Sequence, residues 1–401
     1  MGELLCSFNE GNKQMRSLLG GKGANLSEMT SIGLPVPFGF VVTTKACNDF
    51  FDGGNVLSSQ IIREMEAKIR EIEEVTGKKF GSGENPLLVS VRTSNVVGIP
   101  AMAGSILNLG LNDETFKGLA AIGGMEFALD CYTRFLRTYG SLVRNIPQKS
   151  FISAYEDIKK RAEESSDSQC SEEAILFDAI REYKSIILKR TGRPFPEDPF
   201  EQLKEAVSAI LNRWNSYAVR SYRELHEIPK EIGTAVVVQA MVFGNIDDKS
   251  CTGMVFTRDP NTGEKVTCGQ FMMKSQGGDD YFRDMKAVKI EKLEDFFPEL
   301  NEKFLRMAQL LENYYKNMQE IEFTVERGKL YMLETKAARR TPSASVKIAV
   351  DMVDEGIVDI ATSVANIRAA DINKLVLSQF SDGDEVDGET LDNFKKILEW
   401  A

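Results

Sequence analysis

The chain holds one histidine, His226, in 401 residues. A His-containing catalytic triad, a multi-histidine metal site or a phosphohistidine relay would therefore need that residue or another chain. His226 lies in Tyr222-Arg223-Glu224-Leu225-His226-Glu227-Ile228-Pro229, the end of an amphipathic helical pattern, where it reads as a structural or surface residue. Long apolar runs are also missing, so no segment reads as a membrane span. The start, Met1-Gly2-Glu3-Leu4-Leu5-Cys6, has neither the basic region nor the apolar core of a signal peptide. The six cysteines, Cys6, Cys47, Cys131, Cys170, Cys251 and Cys268, show no CxxC or zinc-type spacing. They read as reduced, mostly buried thiols of a cytoplasmic protein. Net charge is −11, which argues against broad binding to nucleic acid or anionic membrane.

What is present is an ordinary globular composition, with 42% hydrophobic and 27% charged residues, in a chain long enough for two or three domains. Residues 1–110 alternate turn signals with short apolar runs. Gly39 to Thr44 and Pro86 to Arg92 read as strands, and Ser58 to Val75 as a charged helix. Residues 111–200 are helical by pattern, with a polar, solvated stretch at Ala162–Ser168. Helical periodicity continues from Leu203 to Arg223. Strands return over residues 234–335. Residues 341–375 turn helical, and the acidic, turn-rich last twenty or so read as a frayed end. The sum is an α+β chain.

Two local features carry chemistry. Gly20-Gly21-Lys22-Gly23 combines glycines, which let backbone approach a ligand, with a lysine as a point charge for phosphate. It is not a Walker A loop, because no Ser or Thr follows the lysine at the end of a GxxxxG run. The strand that ends in Arg92 offers a second cation. The other feature is a hairpin: Glu320 to Glu326, a turn at Arg327-Gly328, and Lys329 to Glu334. Period-two alternation puts Glu320, Glu322, Thr324 and Glu326 on one face, and groups Glu334 with Met332, Leu330 and Lys336. If Glu322 and Glu334 point to the same side, they form a two-carboxylate site for Mg2+, whose shell substrate phosphates and water complete. A solvated acidic sheet face is the alternative.

The ordered segments resemble one family. They are Glu10-Gly11-Asn12, Leu18-Leu19-Gly20-Gly21-Lys22-Gly23, Gly33-Leu34-Pro35-Val36-Pro37, Pro86 to Arg92, and Ile106-Leu107-Asn108-Leu109-Gly110. Gln239 to Asn245, Phe256-Thr257-Arg258-Asp259-Pro260-Asn261-Thr262-Gly263 and the hairpin through Thr341 complete the set. Over roughly residues 5–375 the chain is similar to the N-terminal nucleotide-binding part of pyruvate phosphate dikinase, an ATP-grasp protein. The resemblance implies ATP-grasp lobes over ATP: an N-terminal lobe at 1–110, a helical insertion at 111–200, a C-terminal lobe at 201–340 with the acidic hairpin, and a helical linker and tail at 341–401. It implies ATP and Mg2+ as cofactors. Lys22, Arg92 and Lys336 would lie toward the phosphates, with Arg92 a candidate catalytic group, and Glu322 and Glu334 would lie toward the metal. It also implies that the family's histidine domain and pyruvate-binding barrel lie beyond this sequence.

Several positions depart from the family pattern. In Thr93–Gly104, Val96 replaces a second arginine, Ala101 a glycine and Gly104 an aspartate. Gln270 and Gly278 stand for glutamates and Lys274 for an asparagine. At the hairpin Glu334 replaces a glutamine and Lys336 an arginine. Two readings result. One is a pseudoenzyme serving as a binding or assembly module with a protein partner. The other is an active ATP-dependent phosphotransferase half, of kinase type, that phosphorylates a histidine on a separate protein.

Overall fold

The computed structural model describes residues 4–102, 104–164, 171–277, 287–378 and 388–400. The expectations placed on Ser165–Ser168, Cys170 and Gly278 lie outside them. The chain divides into two compact units, Met1–Val242 and Phe243–Ala401, and each is described by itself.

The first unit holds the strands β1 (Leu5–Ser7), β2 (Gly39–Val42), β3 (Lys79–Phe80), β4 (Pro86–Leu87), β5 (Val89–Ser94), β6 (Ser105–Leu109) and β7 (Ala235–Ala240). Five of them form an antiparallel sheet in the order β1-β2-β7-β5-β6, while β3 and β4 make a separate parallel pair. The β-branched runs explain the central strands: Val41, Val42, Val91, Val236, Val237 and Val238 are fully buried. The helices are α1 (Arg16–Ser31), α2 (Thr44–Asp52), α3 (Ser59–Thr76), α4 (Thr115–Gly123), α5 (Met125–Leu142), α6 (Gln148–Glu164), α7 (Glu172–Thr191), α8 (Pro199–Arg213) and α9 (Tyr217–Leu225). Ser58 caps α3 by accepting from the Ile61 N–H, and Gly77 closes it in the left-handed conformation.

The single helix expected from Leu203 to Arg223 is two. The chain turns at Trp214–Ser216: Ser216 takes an extended backbone, φ −62° and ψ 154°, while the buried Trp214 holds the turn by donating its indole N–H to the Lys230 carbonyl at 3.1 Å. His226 follows α9, exposed, with its ring 4.2 Å from that of Tyr222.

The second unit holds β8 (Cys251–Phe256), β9 (Cys268–Met273), β10 (Val288–Lys289), β11 (Gln319–Glu326) and β12 (Lys329–Ala337), in the antiparallel order β10-β9-β8-β11-β12. Its helices are α10 (Leu293–Phe296), α11 (Pro298–Tyr315), α12 (Pro342–Asp354), α13 (Ile360–Ala365), α14 (Ala369–Ser378) and α15 (Gly388–Trp400). The acidic end is not frayed at residues 388–400. Those residues form α15, whose Phe394 and Ile397 pack on Val346, Ala349 and Val350 of α12. Apolar residues spaced by three supply one sticky face, and tertiary burial holds what the local charge pattern does not favour.

Mixed helices and antiparallel sheets make the fold α+β. No helix among the described residues is long and apolar enough to cross a membrane.

Candidate nucleotide site

The glycines near Lys22 serve packing. Gly20 breaks the helical path with φ +69° and ψ 177°, so the regular helix restarts at Gly21. The end of β5 crosses it closely. A Cβ on Gly20 would lie 1.9 Å from the Ser94 carbonyl oxygen, and one on Gly23 would lie 2.9 Å from Val41. The Gly21 N–H donates to the Asn95 carbonyl at 2.8 Å, and the Gly23 N–H donates to the Ser94 hydroxyl, also at 2.8 Å. Ser94 in turn donates to the Leu19 carbonyl. The expectation of a glycine cradle open to a ligand is therefore corrected at these two amides, because β5 already occupies them. Lys22 is left half-buried on the first turn of the restarted helix, with the positive end of the helix dipole beside it.

Arg92 sits on β5 two residues before Ser94, so period-two alternation sends both side chains to one face of the sheet. That is the face on which Ser94 grips α1. Arg92 is 8% exposed, and its Nε is buried without a hydrogen-bond partner. It forms no ion pair with any described residue. A buried Nε–H without an acceptor is costly unless a ligand completes it, so the residue fits a phosphate or carboxylate ligand.

The loop after β5 is pinned. Ile99 and Met102 are buried in an apolar cluster with Trp214 and Val219. The Thr93 hydroxyl donates to the Met102 carbonyl at 2.9 Å, Arg16 Nε donates to the Val96 carbonyl at 3.2 Å, and Thr234 donates to Asn95 Oδ1 at 2.7 Å. Gly104 ends the loop at φ +150°, with an Arg213 guanidinium nitrogen 3.1 Å from where a Cβ would stand.

In the second unit, Glu322 and Glu334 are direct cross-strand partners. Glu320 pairs across the strands with Lys336, and their side chains meet at 2.8 Å. Burial opposes the charge on Lys336. The hydrogen bond to Glu320, with the charges of Glu320, Glu334 and Glu322, nevertheless raises its pKa above the ordinary lysine value. The expected grouping of Glu334 with Met332 and Leu330 is wrong. The register shifts between Glu322 and Phe323, leaving Leu333 as an extra residue on β12, and the bulge reverses the alternation. Met332 and Leu330 are buried opposite Phe323 and Val325, whereas Glu334 stays half-exposed beside Glu322. Period-two reasoning does not detect a bulge. Glu320, named at first only for its place on the strand face, is the residue that binds Lys336.

The same face extends to β8 and β9. Register carries the Glu334–Glu322 row through Met254 to Gln270. Two hard carboxylates side by side suit Mg2+, which takes one or two protein carboxylates and completes its shell with phosphate and water oxygens. Among the described residues no group of three or more acidic, histidine or cysteine side chains is set to hold a metal alone. Lys274 takes a left-handed backbone, φ +49°, just after β9, and its ammonium pairs with Asp248 at 2.6 Å in an exposed position.

Arg258 is a residue that sequence reasoning quoted only within a motif. It is fully buried and held by Glu312 at 2.9 Å and Glu355 at 2.7 Å. The following Asp259 accepts from the Asn261 and Thr262 N–H groups, so this motif is a structural turn with an anchored arginine. Cys6, Cys47, Cys131, Cys251 and Cys268 are thiols rather than disulfides. Burial pushes Cys47 and Cys268 up to about 11 and Cys251 up to about 12, which keeps all three protonated at neutral pH.

A family model described as pyruvate phosphate dikinase, AMP/ATP-binding domain, matches residues 16–60 and 54–279. The chain belongs to this family. Among similar dikinases, pyruvate, phosphate dikinase 1, chloroplastic, of Zea mays is 41% identical over 372 residues, which cover 93% of this chain and 39% of that protein. Pyruvate, phosphate dikinase of Clostridium symbiosum is 39% identical over 383 residues, covering 95% of this chain and 44% of that one. The chain thus spans about two fifths of the length of these dikinases. The match to the AMP/ATP-binding domain includes Lys22 and Arg92, while the hairpin lies past its end at residue 279.

Proposed function

We propose that the chain binds a nucleoside triphosphate with Mg2+ through an ATP-grasp fold, residues 111–200 being its helical insertion and 341–401 its helical linker and tail. Lys22 and Arg92 of the first unit contact phosphate oxygens, and Lys336 adds a third cation. Glu322 and Glu334 of the second unit ligate the metal. The observation that carries this reading is the buried Arg92 guanidinium, whose Nε lacks a partner. Bound Mg2+ would offset the charge of the phosphates. The chain's own cations would orient them, with Lys22 acting as a point charge and Arg92 as a planar donor.

The role proposed for this bound state is that of a pseudoenzyme, a binding or assembly module engaging a protein partner in the cytoplasm. Val96, Ala101 and Gly104 support it, because they leave the pinned loop without a cation, a mobile glycine or a carboxylate at positions where the resemblance implies them. A phosphoryl group in transfer needs several converging charges, and losing them in one loop weakens its positioning. The second reading is an active half-enzyme that phosphorylates a histidine on a separate protein. It is favoured by Lys22, Arg92 and Glu322 together with an oxygen ligand at Glu334.

Thermal unfolding with and without millimolar Mg·ATP tests binding, since a ligand of the native state raises Tm. The expected rise disappears in Lys22→Ala and in Glu322→Ala, and no rise in the parent chain overturns both readings. AMP release in the presence of a separate histidine-domain protein decides between them: its formation overturns the module reading, and its absence despite binding overturns the half-enzyme.

A further inference from the structure

We propose that the first unit carries a second anion site, formed by α5, α8 and the turn before α3, which takes a compact polyanion bearing several phosphoryl groups. An open cleft of about 570 Å3 lies there. That volume is in the range of small-molecule sites. Among the described residues it is lined by Arg144, Arg193, Lys204 and Arg213, against the single carboxylate of Glu205. Such a local excess of positive charge is unexpected in a chain whose net charge is −11. None of Lys22, Arg92, Glu322, Glu334 and Lys336 lines it.

The charges are arranged for an incoming anion. Glu205 is engaged already, accepting from the Tyr139 hydroxyl and pairing with Arg144 at 2.7 Å. Even so, the Arg144 Nε remains buried without a hydrogen-bond partner. Arg193 is exposed and has no ion pair among the described residues. Lys204 leans on Glu201, a partly exposed pair that water screens. Burial lowers the pKa of Arg213, a desolvation that an anion would offset. Asn55, Asn212, Ser208 and Ser216 line the same walls and add neutral donors. Three guanidinium groups favour planar, bidentate contact with phosphoryl oxygens over a single point charge.

Calorimetric titration of the full chain with inorganic tripolyphosphate tests the proposal. Four proteins are compared: the parent, Arg193→Gln with Lys204→Gln, Lys22→Ala with Arg92→Ala, and the chain carrying all four changes. One tripolyphosphate per chain is expected to remain in the Lys22/Arg92 variant. At that same site, adding the Arg193 and Lys204 changes should weaken affinity at least tenfold. Circular dichroism checks that each variant is folded. Arg193→Glu, at an exposed position, repeats the test if the double change unfolds the chain, and Arg193→Lys should restore part of the affinity. The proposal is overturned if the Lys22/Arg92 variant loses all binding, if the Arg193 and Lys204 changes leave affinity unchanged, or if the parent gives no heat at millimolar tripolyphosphate. Failure of Mg·ATP to raise Tm leaves these expectations as they stand, so the two sites fail separately.

Discussion

Glu322 and Glu334 face each other directly across neighbouring antiparallel strands, with the Glu320–Lys336 ion pair at the next position along the same face. Direct cross-strand partners have Cβ atoms about 5 Å apart, and like charges so placed repel. Lys336 offsets part of that repulsion, and a divalent cation would offset more.

Glu334→Gln therefore separates charge from metal binding. Without Mg2+ the variant is expected within about 1 kcal/mol of the parent, because the repulsion it removes is of that size. With ATP present, the Mg2+-dependent part of the Tm rise should shrink markedly. Scanning calorimetry across a magnesium series measures both effects, and an unchanged magnesium dependence shows that the charge of Glu334 plays no part in holding the metal.

Gly20 is where helix and strand meet most closely. Gly20→Ala should lose about 3 kcal/mol, combining the cost of a side chain at positive φ with a clash on the Ser94 backbone. Gly33→Ala supplies the comparison, since its φ is +79° but no atom lies within 4 Å of the added Cβ. It should lose about 1–2 kcal/mol. Urea unfolding of the two variants measures the difference, and equal losses mean that the close approach is unimportant.

Met102 fastens the loop that follows Arg92. It is fully buried, so Met102→Ala should cost about 2–5 kcal/mol. Amide hydrogen exchange over residues 96–104 should accelerate more than exchange in β7. Uniform acceleration across the first unit would show that Met102 supports the whole core rather than the loop.

Glu355 links stability to pH. Burial opposes its charge, but hydrogen bonds and charge attraction from Arg258 and Lys265 hold its carboxyl below the ordinary value of 4.5. A depressed folded-state pKa means stabilisation that is complete above 4.5 and is lost as pH falls through the lower, folded value. Glu355→Gln should therefore lower Tm at pH 7, and the gap to the parent should narrow below pH 4.5. A gap that stays constant down to strongly acid pH contradicts this assignment. Glu312→Gln is expected to be the harsher change, about 3–5 kcal/mol, because it strips the fully buried end of the Arg258 guanidinium.

Residue order by itself determined several strands and helices, through β-branched runs and capped periodic stretches such as Ser58 to Gly77, but the stretch 234–335 read as strands also holds the helix α11, Pro298–Tyr315. Residue order also determined the family, which the ordered segments carried together. Short-range pattern failed where long-range packing governs. The helix breaks at the extended Ser216, beside a Trp214 whose ring is buried and whose indole N–H bonds to Lys230. Phe394 and Ile397 make a helix of an acidic end because α12 offers them an apolar surface. For the candidate site, sequence supplied the residue types: Lys22, Arg92, Glu322, Glu334 and Lys336. Only the tertiary structure decided that Gly20 and Gly23 serve β5, that Arg92 is buried with an unmet donor, and that one bulge aligns Glu334 with Glu322. The physical reason is that propensity and periodicity act over a few neighbouring residues. Hydrogen-bond satisfaction, close backbone approach and strand register depend on partners far away in the chain.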